Sequence, residues 1–542
     1  MLHTSLTRQP VFAPRGVVAT SQPLAASAGL AVLRAGGNAV DAAIATATAL
    51  TVVQPGSNDI GSDLFAIVWD GERLHGLNAS GRSPRALTLE TATAAAIGGN
   101  EDLGGTQSEA AALMPSRGWL PVTVPGAPAG WRDLHRRFGS RPFPELFADA
   151  IAYAERGYPV SPRVAHSWRG AAERLQPELR GPEFEEWLRV FTIDGRAPHA
   201  GERWANPAAA RTLRLIADSD ADAFYTGEIA RALAAHSTAT GGLLSLDDLA
   251  EHASTWVDPV SVNYRGYDVW ELPPNGQGVA ALIALGILDG MDIAGASPAE
   301  RLHWQIEAMK LAFADAHAYV ADPDRSAGLV EGLLDPAYLA SRRALIEAKA
   351  SLPRPGDPMR GGTVYLATAD QDGMMVSLIQ SCYMGFGSHV VLPGYGFGLQ
   401  NRGAGFSLAP DHPNVVAGAK RPYHTIIPGF LTRSGDPVGP FGVMGGHMQP
   451  QGHLQVIMST VDDGMDPQAA LDRPRWCWQA GRRVDVESAF DPELVDAARD
   501  RGHEVTIDDD AGFGYGQAIW HVPGSGYVAG SESRADGCAM AY

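Results

Sequence analysis

The stretch Gly361-Gly-Thr-Val-Tyr-Leu-Ala-Thr-Ala-Asp370 places a threonine directly after two glycines, where a loop ends and a strand-like pattern begins. The loop runs from Ser351 to Gly362 and is rich in Pro, Gly and Arg. A threonine whose own backbone nitrogen is released by cleavage can supply both a nucleophilic hydroxyl and a basic amine. Such an amine has an ordinary pKa of about 8, so part of it is neutral near pH 7. Glycines before a strand are also common in plain turns, so spacing alone leaves both interpretations of Thr363 open.

The chain has 542 residues and an acidic balance, with 42 Lys and Arg against 61 Asp and Glu. A chain of this length can bury a large core without covalent cross-links. The net charge of −19 argues against nucleic acid and anionic membrane surfaces as partners. It sets no limit on a small substrate, because the pocket of an acidic protein can be locally basic.

Three cysteines, Cys382, Cys477 and Cys538, form no disulfide framework and show no metal-ligand spacing. Each is expected to be a small buried apolar residue. The N-terminus lacks a charged segment followed by an apolar run, and no stretch is long enough to span a bilayer. These features predict a soluble, cytoplasmic protein, for which we expect neither a metal nor an organic cofactor.

Helix signals dominate the first two-thirds of the chain. Ala25–Ala35 is helix-forming and ends at a glycine pair, and a second Ala-rich helix is expected from Asn38 to Val53. The strongest helix pattern runs from Pro298 to Val320, where Ser297 and Glu300 form a capping box. A strand pair over 60–77 and a helical stretch over 336–350 are also predicted.

Strand signals dominate the last third, and the change falls at the glycine pair before Thr363. Thr363–Asp370 and Met374–Ser381 read as a hairpin joined by a turn over 370–373. Further strands are predicted around Val390, at Thr425–Leu431 and at Pro437–Val443, and helices at 449–461 and 492–501.

Few chemical motifs stand out by themselves. Gly442-Val-Met-Gly-Gly446 lies between a predicted strand and a predicted helix, where backbone N–H groups can face a developing oxyanion. A plain strand-to-helix turn explains the same glycines. His447 and His453 lack a neighbouring carboxylate or third ligand in the sequence, so no metal site is predicted there.

A series of short motifs gives a stronger signal through its order. They are Gly36-Gly-Asn-Ala-Val-Asp-Ala-Ala43, Val124-Pro-Gly126, Gly130-Trp131, Glu307-Ala-Met-Lys-Leu-Ala-Phe-Ala-Asp315, Gly362-Thr363, Asp372-Gly373, Lys420-Arg-Pro422, Pro428 and Gly445-Gly446. In this order the chain resembles the γ-glutamyltranspeptidase (glutathione hydrolase) family of N-terminal-nucleophile hydrolases over nearly its full length. The resemblance implies an α+β fold, a four-layer αββα sandwich built from a large chain, 1–362, and a small chain, 363–542.

The same resemblance assigns roles to individual residues. Self-cleavage is expected between Gly362 and Thr363, after which Thr363 is the catalytic nucleophile. Ser381 falls where the family usually has a second threonine that hydrogen-bonds the nucleophile, and it keeps the hydroxyl. Gly445 and Gly446 match the glycines of the oxyanion hole.

The residues expected to contact the substrate depart from the family pattern. The arginine that holds the α-carboxylate of a γ-glutamyl group is displaced by two positions, to Arg82. Arg402 and Gly405 replace the Gln and Asp that hold the substrate amine. Tyr383 replaces an Asn, and His424-Thr425 replaces a pair of serines. Because a guanidinium repels an ammonium, this pocket is expected to prefer a carboxylate without an adjacent amine.

The pattern Gln380-Ser-Cys-Tyr-Met-Gly-Phe-Gly-Ser388 with Gln400-Asn-Arg-Gly403 looks like the branch containing oxamate amidohydrolase and glutathione-hydrolase-like bacterial proteins. It favours hydrolysis of a small acid amide such as oxamate, with Arg402 or Arg82 holding the carboxylate. Pairing of Arg402 with an acidic side chain, away from substrate, is the alternative.

Two other functions stay open on the sequence. One is hydrolysis or transfer of γ-glutamyl groups, and the other is an uncleaved, non-catalytic family member that only binds. The expected partners are a small-molecule amide and the two chains of one precursor, with a higher oligomer of that pair allowed.

Overall fold

The structure is a computed structural model that describes residues 8–101, 113–325, 328–352, 362–509 and 512–542. Most of the loop expected before Thr363, including Gly361, lies outside these residues. The strands are β1 (Val11–Ala13), β2 (Val17–Thr20), β3 (Asp63–Trp69), β4 (Leu74–Ala79), β5 (Tyr158–Pro159), β6 (Arg203–Trp204), β7 (Thr255–Val257), β8 (Val260–Tyr264), β9 (Tyr267–Glu271), β10 (Gly362–Ala369), β11 (Met375–Tyr383), β12 (Gly429–Arg433), β13 (Asp436–Met444), β14 (Trp476–Ala480), β15 (Arg483–Val486), β16 (Glu504–Ile507), β17 (Tyr515–Val522), β18 (Gly526–Ser531) and β19 (Cys538–Ala541).

The α-helices are α1 (Pro23–Arg34), α2 (Ala39–Val53), α3 (Leu89–Glu101), α4 (Ala127–Phe138), α5 (Ala148–Arg156), α6 (Pro162–Leu175), α7 (Glu185–Phe191), α8 (Pro207–Asp218), α9 (Asp222–Tyr225), α10 (Glu228–Ala239), α11 (Leu246–Ala250), α12 (Gly278–Asp289), α13 (Pro298–Tyr319), α14 (Leu329–Leu333), α15 (Pro336–Arg343), α16 (Met448–Val461), α17 (Pro467–Asp472) and α18 (Pro492–Asp500). Short 3-10 turns occur at Phe143–Phe147, Pro182–Phe184, Pro323–Arg325 and Arg402–Gly405.

Two seven-stranded sheets form the centre of the molecule. The first has the strand order β19-β2-β10-β11-β3-β4-β7, and the second has the order β1-β18-β17-β13-β12-β9-β8. All neighbouring strands in both sheets are antiparallel. Two small sheets, β14-β15-β16 and β5-β6, lie outside this pair.

Alternating side chains place each sheet between two apolar layers. On β3, Phe65 and Ile67 pack in a core shared with Phe430 and Ile519 of the second sheet. The other face of the first sheet packs against a helical layer that includes α2 and α4. The outer face of the second sheet packs against α12, α13 and α16. The order is therefore helix, sheet, sheet, helix, and the expected α+β sandwich is confirmed.

The segments on either side of residue 362 share both sheets. In the first sheet, β10 and β11 lie between β2 and β3, which come from the earlier segment. In the second sheet, β9 and β8 extend the strands contributed by the later segment. The two segments therefore interlock as one body rather than lying side by side as separate domains.

Helix capping follows the sequence closely. The Asn38 side chain accepts a hydrogen bond from the backbone of Asp41, and the Asp41 carboxylate accepts one in return, so α2 begins with a capping box. Ser297 and Glu300 make the same reciprocal pair at the start of α13. In the described part of the chain, no helix has both the length and the apolar character needed to cross a bilayer.

Three predicted elements differ in extent. The helical stretch at 336–350 ends at Arg343, and the strand expected around Val390 is only an isolated bridge between Val391 and Gly398. The strand expected from Thr425 begins at Gly429. The reason for the third difference is that backbone groups before Gly429 bond to side chains: Thr425 O accepts from Gln277 Nε2, and the Ile427 N–H donates to Gln449 Oε1.

Candidate active site

Three polar side chains form a row across adjacent strands of the first sheet. Ser381 on β11 is paired with Asp63 on β3, and Ser381 Oγ lies 3.1 Å from Thr363 Oγ1 on β10. The register of β10 and β11 shifts around Thr363, so the threonine lies at an irregularity that can redirect its side chain. Thr363 lies two residues before Tyr365, which packs in the core between the two sheets, and residues two apart on a strand point to the same face. The row therefore faces the space between the sheets. All three residues are buried.

The Ser381 hydroxyl connects this row to a guanidinium. Ser381 Oγ accepts hydrogen bonds from the Tyr383 backbone N–H at 2.8 Å and from Arg402 Nη2 at 3.1 Å. Hydrogen bonds accepted by a hydroxyl polarise it and strengthen its own donation. Ser381 can therefore donate to Thr363 Oγ1 and stabilise negative charge that develops on that oxygen.

Arg402 is a fully buried cation, with a relative exposure of 0%. Its Nη1 donates to Thr425 Oγ1 at 2.7 Å, and its guanidinium lies 4.3 Å from the centre of the Tyr383 ring. Within the described residues its Nε has no hydrogen-bond partner, and no Asp or Glu oxygen lies within 4.0 Å of its nitrogens. Burial lowers the pKa of Arg402 to about 10, so the group is still charged at pH 7. Arg402 thus keeps donor capacity for an anion.

Tyr383 and Thr425 hold this guanidinium in place. Tyr383 ends β11 with a φ of 79°, a left-handed conformation that is costly for a bulky side chain. That backbone places its ring against Arg402, where a cation–π contact stabilises the charge. Strain of this kind is typical of functional sites.

The predicted pocket residue His424 contacts the row at Asp63. Its Nε2 lies 3.1 Å from Asp63 Oδ2, and its Nδ1 accepts the backbone N–H of Ile426 at 3.3 Å. Since Nδ1 is an acceptor, Nε2 carries the hydrogen and donates it to Asp63. Burial, with Arg402 nearby, holds the pKa of His424 well below its usual range. Both ring nitrogens of His424 are therefore bonded within the protein.

The second candidate arginine, Arg82, is directed to the surface. Its side chain is 40% exposed, and Nη1 lies 3.1 Å from Asp322 Oδ2. The preceding residue, Gly81, does contact the row, because its N–H donates to Asp63 Oδ1 at 3.2 Å. Of the two arginines, only Arg402 has its guanidinium bonded to the row.

The two predicted oxyanion glycines form the turn between β13 and α16. Gly445 and Gly446 have φ values of 126° and 60°, which glycine adopts readily. The turn leads into the N-terminus of α16, where backbone N–H groups favour negative charge. Gln277 Nε2 donates to Gly446 O at 2.9 Å and to Thr425 O at 2.7 Å, and so joins this turn to the arginine side of the site.

Sequence reasoning missed Asp63 and Gln277. Asp63 is the one charged residue in the run Ile60–Trp69, and that pattern could have drawn attention to it. Gln277 precedes α12 in a loop and has no comparable signal; its role follows from tertiary contacts alone.

Two buried histidine clusters bear on metal binding. His453 has no carboxylate near it in sequence, but in the fold Glu271 Oε1 lies 2.6 Å from its Nδ1. His303, Glu307 and His503 bring possible ligand atoms within 4.8 Å of one another. Lys310 Nζ, however, lies 2.6 Å from Glu307 Oε1 and already neutralises that carboxylate. We therefore assign no metal to this cluster.

The family and the relatives that this chain matches define its class, a hydrolase that acts on amide C–N bonds. The chain belongs to the gamma-glutamyltranspeptidase family, whose model matches residues 25–542.

Two curated bacterial proteins are similar to the chain over nearly all of both sequences. The "Glutathione hydrolase-like YwrD proenzyme" of Bacillus subtilis (strain 168) is 33% identical, over 98% of this chain and 99% of its own. The "Oxamate amidohydrolase proenzyme" of Klebsiella pneumoniae is 34% identical, over 97% and 98%. A solved structure, the cephalosporin acylase from Bacillus halodurans, is 50% identical with a TM-score of 0.92, over 100% of this chain and 98% of its own.

Proposed function

We propose that the protein is a self-processing amidohydrolase that hydrolyses a small carboxylate-bearing amide of the oxamate type and releases ammonia. The large chain would be 1–362 and the small chain 363–542. The observation that carries the proposal is Arg402, a buried guanidinium without a bonded carboxylate among the described residues and one hydroxyl away from Thr363. A substrate carboxylate would bind directly to this guanidinium, whose Nε has no hydrogen-bond partner among the described residues.

In the precursor, Thr363 Oγ1 would attack the Gly362 carbonyl carbon and form an ester as the peptide C–N bond breaks. Water would then hydrolyse the ester, leaving a Gly362 carboxylate and a free Thr363 amine. Ser381 supports both steps, since its hydroxyl can donate to the attacking oxygen. Glycine at residue 362 gives the backbone the conformational freedom that such an attack would require.

With the substrate bound, the Thr363 amine would take the hydroxyl proton as Oγ1 attacks the amide carbon. The N–H groups at Gly445 and Gly446 would stabilise the oxyanion. The amide C–N bond then breaks, ammonia leaves with that proton, and an acyl-enzyme remains. Water would hydrolyse it, release the acid and restore Thr363.

Distance favours a short acid. Two hydrogen bonds of 3.1 Å each connect Arg402 Nη2 through Ser381 to Thr363 Oγ1. In oxamate the carboxylate carbon is bonded directly to the amide carbon under attack. In a γ-glutamyl group four bonds separate the two carbons, and the α-ammonium would meet the Arg402 charge.

The test is a substrate panel on the processed protein, with ammonia release from oxamate measured beside cleavage of a γ-glutamyl anilide. A cephalosporin amide belongs in the panel, because a relative of 50% identity is a cephalosporin acylase. Oxamate turnover above the other two supports the proposal. Turnover of the anilide alone would favour the glutathione hydrolase alternative, and a single band of 57.3 kDa on a denaturing gel would favour an uncleaved binding protein.

A further inference from the structure

Asp63 is a buried carboxylate at the end of the row that includes Thr363 and Ser381, and the proposed chemistry gives it no role. Its Oδ1 accepts N–H hydrogen bonds from Gly81 and Gly126, each at 3.2 Å. Its Oδ2 accepts the Nε2–H of His424 at 3.1 Å. Gly126 has no space for a side chain, because a Cβ there would meet Ala79 O at 1.5 Å. The carboxylate is therefore held in one place by three donors from three loops.

The negative charge of the Asp63–His424 pair interacts with the positive charge of Arg402. After the cost of burial, Arg402 is the largest influence on the Asp63 carboxyl, and it favours the ionised form; Arg421 adds to it. Other titratable groups around the pair are Cys382 on β11, Tyr383 at the end of that strand and Tyr225 on α9. Burial raises the pKa of the Cys382 thiol and of both phenols, so these groups are neutral at pH 7.

We propose that Asp63 is a positioning residue for carboxylate recognition, and that the Asp63–His424 pair takes up one proton when a substrate carboxylate binds to Arg402. This inference rests on the proposed function. Without ligand, the ionised pair balances the Arg402 charge. A bound carboxylate adds a second buried anion beside Arg402, and a proton taken from solvent offsets the added charge.

The pair is already near the point of protonation. Burial raises the pKa of Asp63 to about 7, although Arg402, Gly81 and Gly126 each act to lower it. A second anion beside Arg402 raises it further, so the bound state holds more protons than the free state above pH 7. Binding of a carboxylate then weakens by up to about tenfold for each pH unit above 7. Because the two residues interact directly, the proton belongs to the pair rather than to one atom.

The experiment uses the processed protein and pyruvate, which has the shape of oxamate with a methyl group in place of the amide nitrogen and releases no ammonia. Calorimetric titration at pH 8 in two buffers with different ionisation enthalpies gives the number of protons taken up. We expect up to about one proton at pH 8 and fewer at pH 6. Binding of pyruvate without proton uptake overturns this inference and leaves the proposed function standing. If the protein neither binds pyruvate nor hydrolyses oxamate, both the inference and the proposed function are wrong.

A variant separates the pair from a general effect of pH. Asp63→Asn keeps the size of the side chain and removes its titration, so pyruvate affinity should lose its slope between pH 6.5 and 8.5. Asp372→Asn, an exposed aspartate in the turn at the other end of β10 and β11, should keep the slope. An unchanged slope in Asp63→Asn overturns the inference, and if that variant does not fold, the calorimetry of the unaltered protein decides.

Discussion

Arg402 donates a hydrogen bond to the same Ser381 oxygen that lies against Thr363, with both separations 3.1 Å. The group expected to hold the substrate and the group expected to attack it therefore share one hydroxyl. An anion that draws the guanidinium toward itself changes the hydrogen bonding of Ser381, and through it that of Thr363. In this arrangement, binding and reactivity are expected to respond together.

Replacing Arg402 by Ala should raise the KM for oxamate by about a hundredfold, since loss of a buried charged partner costs about 2–5 kcal/mol. The measurement is steady-state ammonia release, after a gel has shown that the variant is processed. Arg82→Ala is the matched control, because that guanidinium is 40% exposed and bonded to Asp322 rather than to Ser381. If KM rises in Arg82→Ala but not in Arg402→Ala, Arg82 rather than Arg402 holds the substrate carboxylate.

Replacing Thr363 by Ala should leave the chain uncleaved, with one band of 57.3 kDa and no amide hydrolysis. Thr363→Ser keeps the hydroxyl and should give two bands, although at a different rate. The gel and N-terminal sequencing of the smaller band provide the measurement. Two bands in Thr363→Ala would show that cleavage does not depend on this side chain.

Replacing Ser381 by Ala should lower kcat by about 10- to 100-fold, because a positioned hydrogen-bond donor to the reacting oxygen is lost. The Arg402 and Tyr383 donors also lose their acceptor. Ser381→Thr restores the hydroxyl and should recover most of the activity, which a purely spatial requirement would not predict. Equal loss in both variants would contradict a role for the hydroxyl.

The buried ion pair of Glu307 and Lys310 should be important for stability. Glu307 also accepts hydrogen bonds from Ser351, so it fixes the first residue of the expected cleavage loop. In the uncleavable Thr363→Ala background, Lys310→Met should lower the free energy of unfolding by about 3 kcal/mol, because an unpaired charge stays buried.

Urea titration measures that change, and the double variant Glu307→Gln/Lys310→Met provides its control. With both charges removed, much of the loss should be recovered. A double variant as unstable as Lys310→Met alone would mean that packing, rather than charge, sets the stability at this position.

Local signals in the sequence located much of this fold. The helix starts at Asn38 and Ser297 can be recognised in the sequence, because a capping box joins two residues only three positions apart. The hairpin around Asp370-Gln-Asp-Gly373 is likewise a local feature, and it is present as β10 and β11. The strand expected at Thr425 begins later because backbone groups of Thr425 and Ile427 bond to the side chains of Gln277 and Gln449 instead of a neighbouring strand, a competition that only the folded chain reveals.

The site could be predicted only in part for the same reason. Thr363 and Ser381 lie on one hairpin, so their proximity follows from local pairing. Asp63 meets His424 across 361 positions of sequence, and Gln277 meets Gly446 across 169. Contacts of that range depend on strand order, which hydrophobic patterns do not encode residue by residue.

The shared sheets have a consequence for the lifetime of the processed enzyme. With β10 enclosed by β2 and β11, a cleaved molecule cannot release its smaller piece without opening the centre of a sheet. Refolding would then require bimolecular association of the two chains, which is slow at low concentration, whereas the precursor folds as a single chain. The half-life of the active form would be governed by the rate of unfolding rather than by an equilibrium. After cleavage, an unfolded molecule would therefore not readily regain this fold, which forms from the uncleaved precursor.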